Sequence, residues 1–297
     1  MNRHSLNRHS FLLPLLIISA LLISAPACAQ VEPTGDGDDF GLDFSVAVEK
    51  KLAKGFDFDI GLNYRTQDNS SRTERWGLEA GLSYRFFQTK DKRFNLKGGI
   101  SFEQIWRQKL SVVEPHYKTT DDEEGNETYV LDSEGNRQLN GYNGTDRYWR
   151  ARQRYSASVE ATWKPNKRWT FELKETFQWS HYCTTDSVDR DRWRYNDDDE
   201  LYLKRTEQKV FDNKDRLVLR SKVTVTYDIK GLPLDPFVSA DYGCGLNYTS
   251  NKWRFTGGAD YKFSKQHKVT LFYRYSTENS EDETDGHLIG LGYKFSF

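Results

Sequence analysis

The sequence predicts an all-β protein: a transmembrane, antiparallel up-and-down β-barrel of about twelve strands, ten being the alternative, with short periplasmic turns and long external loops. Three observations lead there. The chain is hydrophilic on average, with a mean hydropathy of −0.82, yet 14% of its residues are aromatic. Apolar and polar residues alternate in one segment after another, and a period of two sends them to opposite faces of a strand. The last such segment runs Ile289, Leu291, Tyr293, Phe295, Phe297 and ends the chain on an aromatic residue. A barrel in lipid needs this pattern, apolar outward and polar toward the lumen, with no long hydrophobic run. A soluble domain of this size would bury a core rich in Leu, Ile and Val instead.

Residues 1–29 read as a signal peptide. Arg3 and Arg8 supply the positive start, Phe11 to Ile23 the apolar stretch, and Ala27-Cys28-Ala29 a small-residue cleavage site. A lipoprotein reading would acylate Cys28, but Ala25-Pro26-Ala27 is a poor lead-in for it. Residues 30–297 then form a single outer-membrane barrel domain, placing the protein in the cell outer membrane of a Gram-negative bacterium. Cys183 and Cys244 survive processing, and two cysteines in so long a chain make no disulfide framework.

Eleven segments follow in order. Leu42, Phe44, Val46 and Val48 alternate with Asp43, Ser45, Ala47 and Glu49. Phe56, Phe58, Ile60, Leu62 and Tyr64 make the second apolar face, Trp76 to Phe86 the third, and Phe94 to Trp106 the fourth. Tyr155 to Trp163 and Trp169 to Trp179 flank Lys164-Pro165-Asn166-Lys167. Leu217 to Tyr227, Val238 to Tyr248, Trp253 to Phe263 and Val269 to Tyr275 precede the terminal strand. Each is near the 9–11 residues, or about that, which a tilted strand needs to cross a bilayer. Aromatic residues gather at the ends, as interfacial girdles do.

With the C-terminus periplasmic, residues 52–55, 88–92, 164–167, 229–235 and 264–267 become periplasmic turns. Residues 67–73, 109–147, 183–214, 249–251 and 277–285 become external loops. Eleven is odd, whereas bacterial single-chain barrels are usually even. A twelfth strand is therefore expected within 183–214, where Leu201, Leu203 and Phe211 suggest more β structure, or within 30–41. Glu175 has outward parity in mid-strand, where charge is costly, and a local bulge that turns it inward is expected.

Inward parity lines the lumen with charges of both signs. Arg150, Arg152 and Arg154 form the densest cationic stripe, with Glu103, Glu172 and Lys174 on adjacent strands as candidate partners. In a narrow lumen, structural pairing is the first expectation, a narrow selective pore the second and a dedicated ligand site the third. The external loops are acidic: 109–147 carries nine acids and four bases, 183–214 nine and seven, and 277–285 five and none. Asp121-Asp122-Glu123-Glu124 and Asp197-Asp198-Asp199-Glu200 are candidate cation or partner contacts, but neither has EF-hand spacing, and no metal or cofactor is expected. Glu124-Gly125-Asn126 and Glu134-Gly135-Asn136 suit hairpin turns, which predicts a β-ribbon in the first long loop.

No catalytic constellation stands out, so the chain is not expected to be an enzyme. His181 with Asp186 and His287 with Asp285 are conceivable dyads, but no nucleophile motif accompanies them. Phosphate-cradling loops and a basic nucleic-acid-binding tail are absent from the sequence. The expected partners are outer-membrane lipid, lipopolysaccharide and the barrel-assembly machinery, the last through the sorting signal Tyr293, Phe295 and Phe297. Oligomeric state is left open.

The stretches DFGLDFSVAVEKKLAKGFDFDIGLNYRT at 39–66, WGLEAGLSYRF at 76–86, PFVSADYG at 236–243 and RFTGGADYKF at 254–263, with the GLGYKFSF ending, resemble a Bacteroidetes family of predicted outer-membrane proteins, domain of unknown function 2490. The resemblance covers nearly the whole processed chain, with Asp43 where that family usually has tryptophan. It implies location and fold, and offers no catalytic residues. The function expected is that of a structural or narrow, porin-like passive-transport barrel with a charged lumen. A surface-binding or assembly barrel acting through its acidic loops is the alternative, and an enzyme a distant third.

Overall fold

The computed structural model describes residues 39–109, 111–121, 127–196, 198–248, 251–278 and 286–297. The expected signal peptide lies outside these residues, as do 30–38, Asp122, Glu123, Glu124 and Asp197. Seventeen strands run in chain order, with no helix among the described residues. They are β1 (Asp39–Ala53), β2 (Phe56–Gln67), β3 (Arg72–Gln88), β4 (Phe94–Lys109), β5 (Val112–Tyr117), β6 (Thr119–Asp121), β7 (Glu127–Tyr129), β8 (Leu139–Thr145) and β9 (Tyr148–Trp163). Then come β10 (Trp169–Tyr182), β11 (Val188–Tyr195), β12 (Leu201–Lys209), β13 (Lys214–Tyr227), β14 (Leu234–Gly245), β15 (Asn251–Lys262), β16 (His267–Glu278) and β17 (Gly286–Ser296).

Eleven of them close a barrel in the order β1-β17-β16-β15-β14-β13-β10-β9-β4-β3-β2. These are the eleven segments of the alternating pattern, and the expected twelfth is not in the closed sheet. Leu201 and Leu203 do lie in a strand, β12, but it belongs to a second sheet. An odd count has a geometric consequence. The first and last strands of an up-and-down path then point the same way, so β1 and β17 must pair in parallel, from Asp39↔Gly286 to Glu49↔Ser296. Every other barrel pair is antiparallel, so the sheet departs from the wholly antiparallel barrel expected.

The packing is inverted relative to a soluble can. Outward residues are apolar and bare: Ile100 and Val238 are each 62% exposed, and Leu62 and Leu271 each 57%. Inward charges such as Arg152, at 4%, and Glu103, at 7%, are buried. Two aromatic tiers bound the outward band. Trp76 stacks on Trp106 at 4.0 Å, and Tyr155 on Trp179 at 5.1 Å, toward the end with the long connections. Phe56 with Tyr84, and Trp169 with Tyr227, mark the end with the short turns.

Those short turns follow local chemistry. Gly55 takes a φ of 85° between β1 and β2, and Gly231 the same φ between β13 and β14, a region where L side chains clash. At the other end the long connections are hairpin extensions. The β4–β9 hairpin continues into β5–β8, and the β10–β13 hairpin into β11–β12. Pairing of β8 with β11, Trp193 opposite Tyr142, joins them into one four-stranded sheet, β12-β11-β8-β5. The expected ribbon is therefore present, and its Glu134-Gly135-Asn136 turn is held by Asp132, whose carboxylate accepts the Glu134 and Asn136 amides at 2.9 Å each. The matching turn at 124–126 lies outside the described residues.

Glu175 corrects a second expectation. The β10 register runs without a shift from Trp169 to Tyr182 on both sides, so no bulge turns Glu175 inward. It stays exposed on the outer face, opposite Ser221, whose hydroxyl donates to its carboxylate at 2.7 Å.

Candidate functional site

Alternation decides what each strand contributes to the lumen, and the charges that it delivers are sorted by height. Toward the long-connection end the inward cations are mostly arginines: Arg65, Arg75, Arg107, Arg152, Arg154, Arg216, Arg220, Arg254 and Arg274, with Lys252. The described carboxylates at that level include Asp43, Glu74, Glu103, its register partner Glu79, and Asp241. Toward the short-turn end lysines are more frequent, and four of them stand on an acid: Lys97 on Asp57 at 3.5 Å, Lys268 on Asp260 at 2.8 Å, Lys262 on Asp235 and Lys294 on Glu49.

The upper acids are shared. Glu103 receives Arg154 at 2.9 Å on one oxygen and the Asn63 amide at 2.9 Å on the other. Glu74 sits between Arg107 at 3.2 Å and Arg65 at 3.7 Å, while Asp43 receives Arg65 at 2.6 Å and lies 4.0 Å from Arg274. Arg220 pairs with Asp241. Buried charges survive only with such partners, because desolvation otherwise outweighs their mutual attraction.

The predicted cluster divides into three. Arg154 and Glu103 meet as expected. Arg152 donates instead to the Tyr182 hydroxyl at 2.8 Å. Arg150 reaches the carbonyls of Cys183, at 3.1 Å, and Asp212, tying together the connections that flank β11 and β12. Glu172 and Lys174 lie nearer the short-turn end, opposite Thr162 and Glu160, so they do not join the arginine stripe.

Tyr182 is the residue that sequence reasoning missed. It is buried, and its ring carries four cations on or beside its faces: Arg152 at 5.2 Å, Arg216 at 5.3 Å, Arg150 at 5.4 Å and Lys214 at 5.5 Å. Its signal was available, because it shares inward parity with Glu172 and Lys174. Glu74 had no such signal. A register shift between Arg65 and Thr66 inserts it as an extra residue between Thr73 and Arg75.

Around Tyr182 opens a cleft of about 60 Å³, lined by Arg152, Arg154, Arg216, Arg220, Lys252 and Arg254, with Asp241 the carboxylate among its described lining residues. Two further clefts lie elsewhere in the lumen, about 60 Å³ beside Arg65, Glu74 and Arg107, and about 150 Å³ beside Glu160 and Lys174. Inward aromatic rings fill space near them. Phe272 covers Gly290, where a Cβ would lie 2.0 Å from the ring, and Phe237 approaches Gly258 in the same way.

The terminal aromatic residues build the parallel seam. The Phe297 amide donates to the Glu49 carbonyl at 3.0 Å, its ring lies 5.0 Å from the Lys50 ammonium, and Tyr293 meets His267 Nδ1 at 2.7 Å. Phe295 packs on the same imidazole.

The His181–Asp186 dyad is not assembled. His181 Nδ1 bonds Asp215 at 2.8 Å, not Asp186, and His287 bonds the Tyr273 hydroxyl at 2.5 Å, with Asp285 outside the described residues. In the four-stranded sheet, burial and the neighbouring Arg194 and Arg192 push His116 below the usual histidine range. Asp121 pairs with Glu127 across β6 and β7, and Asp198, Asp199 and Glu200 turn around Asn196, whose side-chain oxygen accepts the Asp198 and Glu200 amides. No group of His, Cys, Asp and Glu suited to a metal ion occurs among the described residues. Cys183 and Cys244 are unbridged.

The fold and lumen define an inside-out, closed β-barrel with an ion-paired interior. A family model described as "Protein of unknown function (DUF2490)" matches residues 40–287, and the chain belongs to that family. Among solved structures it is similar to one titled as the crystal structure of the beta domain of the Bordetella autotransporter Brka. Identity is 12%, with 83% of this chain and 86% of that chain covered and a TM-score of 0.44. No sequence among the curated proteins matches it.

Proposed function

We propose that this protein is an outer-membrane barrel that acts as a narrow passive passage favouring small anions. Lipid placement is supported by the inverted polarity: a band of exposed Ile, Leu and Val between two aromatic tiers matches a bilayer with its interfaces. The long connections, with their four-stranded sheet, are then external and the short turns periplasmic, and the seam at Phe297 is the strand that the assembly machinery receives. The reading assigns no catalytic role.

The observation that carries the anion preference is the arginine-rich upper lumen, where cations outnumber carboxylates among the described residues. A low-dielectric wall focuses such a field and raises the local concentration of counter-ions. In a planar bilayer separating unequal KCl solutions, the refolded barrel is expected to pass current with a chloride-favouring reversal potential. Arg216→Glu should shift that potential toward potassium. A folded, inserted barrel that passes no current sinks the passage, and an unshifted potential sinks the role given to the arginines.

A second reading, surface binding through the external sheet, is favoured by β12. Among the described residues that strand pairs only with β11, and Leu201, Tyr202 and Leu203 on it are 44–46% exposed. Exposed edges of this kind accept an added strand.

Membrane placement also makes Glu175 an expense in the middle of the apolar band. Glu175→Leu should raise the midpoint of heat-induced unfolding on a gel, by stabilisation on the order of 1–2 kcal/mol. A lower midpoint would show that the Ser221 bond outweighs the cost of the carboxylate in lipid.

A further inference from the structure

We propose that the outward face of β4, β9 and β10 binds one glycolipid of the outer leaflet, with an acyl chain in the groove over Ala157 and sugar hydroxyl and amide groups on Gln104, Gln153 and His181. The site rests on the bilayer placement proposed above and is independent of the passage.

The argument starts from shape. A groove of about 510 Å³ with an almost wholly apolar lining runs over this face. Two cross-strand rows build it. Near mid-strand, Ala157 lies between Ile100 on β4 and Phe177 on β10, so a single methyl is flanked by two long side chains and the surface dips. One step toward the long connections, Tyr155 lies between Phe102 and Trp179, with ring centres 5.1 Å apart on each side. A hydrocarbon chain laid in such a trough gains dispersion contacts from its walls as well as its floor.

The second observation is the row directly above those rings. Gln104, Gln153, His181 and Asp215 stand opposite one another on β4, β9, β10 and β13, all with outward parity. Asp215 holds His181 Nδ1 at 2.8 Å, which leaves Nε2 as the ring's other polar atom. Two primary amides and an imidazole both donate to and accept from hydroxyls and amides. The row holds no Lys or Arg and includes a carboxylate, so it suits a sugar-bearing head better than one held through phosphate alone. The spacing also fits. Gln153 to Ala157 is four residues, about 13 Å along a strand, against roughly 15 Å of hydrocarbon in one leaflet. A lipid with its head on the polar row therefore lays its chain along the groove.

The test is native mass spectrometry of the full barrel, refolded in an uncharged detergent. It is supplied with equal amounts of an N-acylated glucosamine disaccharide lipid, phosphatidylglycerol and phosphatidylcholine of matched chain length. One glycolipid per barrel should be retained, with roughly tenfold preference over either phospholipid, the size of one or two hydrogen bonds. Ala157→Phe fills the trough from outside the barrel and should abolish retention. Gln153→Leu with His181→Leu should keep a bound lipid and erase the preference. Leu271→Phe, on the opposite outward wall, should change nothing. Gel migration before and after heating establishes that each variant is folded. No retained glycolipid, equal retention of the three lipids, or unchanged retention in Ala157→Phe overturns the site. A barrel that leaves the detergent as a lipid-free dimer gives the face to a second copy and overturns it too. Retention by a barrel that passes no current removes the passage and leaves the site standing, and current without retention does the reverse. Bilayer placement is read separately, from the lipid accessibility of outward residues on β16, and its failure overturns this site with it.

Discussion

Glu103→Ala is expected to destabilise the barrel by about 3–5 kcal/mol, the range for breaking a buried pair from one side. The carboxylate receives both Arg154 and Asn63, and its removal strands a guanidinium already crowded by Arg152 in the upper lumen. What is lost is less the attraction than the neutralisation of a charge that has left water. That distinction is testable. Replacing both partners, Glu103→Leu with Arg154→Leu, should cost less than the single alanine, because no buried charge is then left alone. Urea-dependent unfolding in lipid or detergent reads both. Equal stability of Glu103→Ala and the parent would mean that water enters the lumen freely enough to solvate Arg154.

Gly141→Ala is expected to split the four-stranded sheet into its two hairpins without unfolding the barrel. Gly141 holds a φ of 143°, and a Cβ there would lie 2.0 Å from the Trp193 carbonyl oxygen and 2.8 Å from the Arg194 Cα. Backbone cannot yield as a side-chain tip can, so the β8–β11 pairing must shift. Only five residue pairs, Arg190↔Thr145 to Arg194↔Gly141, make that pairing, and it alone joins the two hairpins into one sheet. Backbone hydrogen exchange should accelerate across 141–145 and 190–194 while β9 and β10 keep their protection. If protection in β8 and β11 is unchanged, the joint between the two hairpins is not as close as described.

The particular residues show what a linear pattern can and cannot carry. Alternation located all eleven barrel strands, from Leu42 to Phe297, because a period of two is a local property and each strand faces the same two environments. It also placed Arg154 and Glu103 on one face of adjacent strands. What failed was non-local. The preference for even strand numbers argued for a twelfth strand, whereas β1 and β17 close in parallel. Pairing of β8 with β11 joins segments separated by two barrel strands, and nothing in either segment announces the other. Glu74 became a partner of Arg107 through a single inserted residue, which alternation reads as noise. Glu175 failed for the opposite reason: its parity was right, and the bulge expected to excuse it does not exist. For the candidate cleft, the arginine stripe was visible, but its division between a loop tie at Arg150, an aromatic platform at Arg152 and an ion pair at Arg154 needed neighbours from other strands.

In the proposed function this closed sheet stands in a bilayer with its apolar face outward. The most direct measurement attaches a spin label in turn to cysteines placed at Thr270, Leu271, Arg274 and Tyr273 of β16 in liposome-reconstituted protein, with Cys183 and Cys244 replaced. Each label's collision rate is then compared for oxygen, which concentrates in lipid, and a water-soluble nickel complex. Bilayer placement predicts oxygen-accessible labels at Leu271 and Tyr273 and oxygen-shielded labels at Thr270 and Arg274. Equal oxygen and nickel accessibility along the strand, or the reverse alternation, would contradict it.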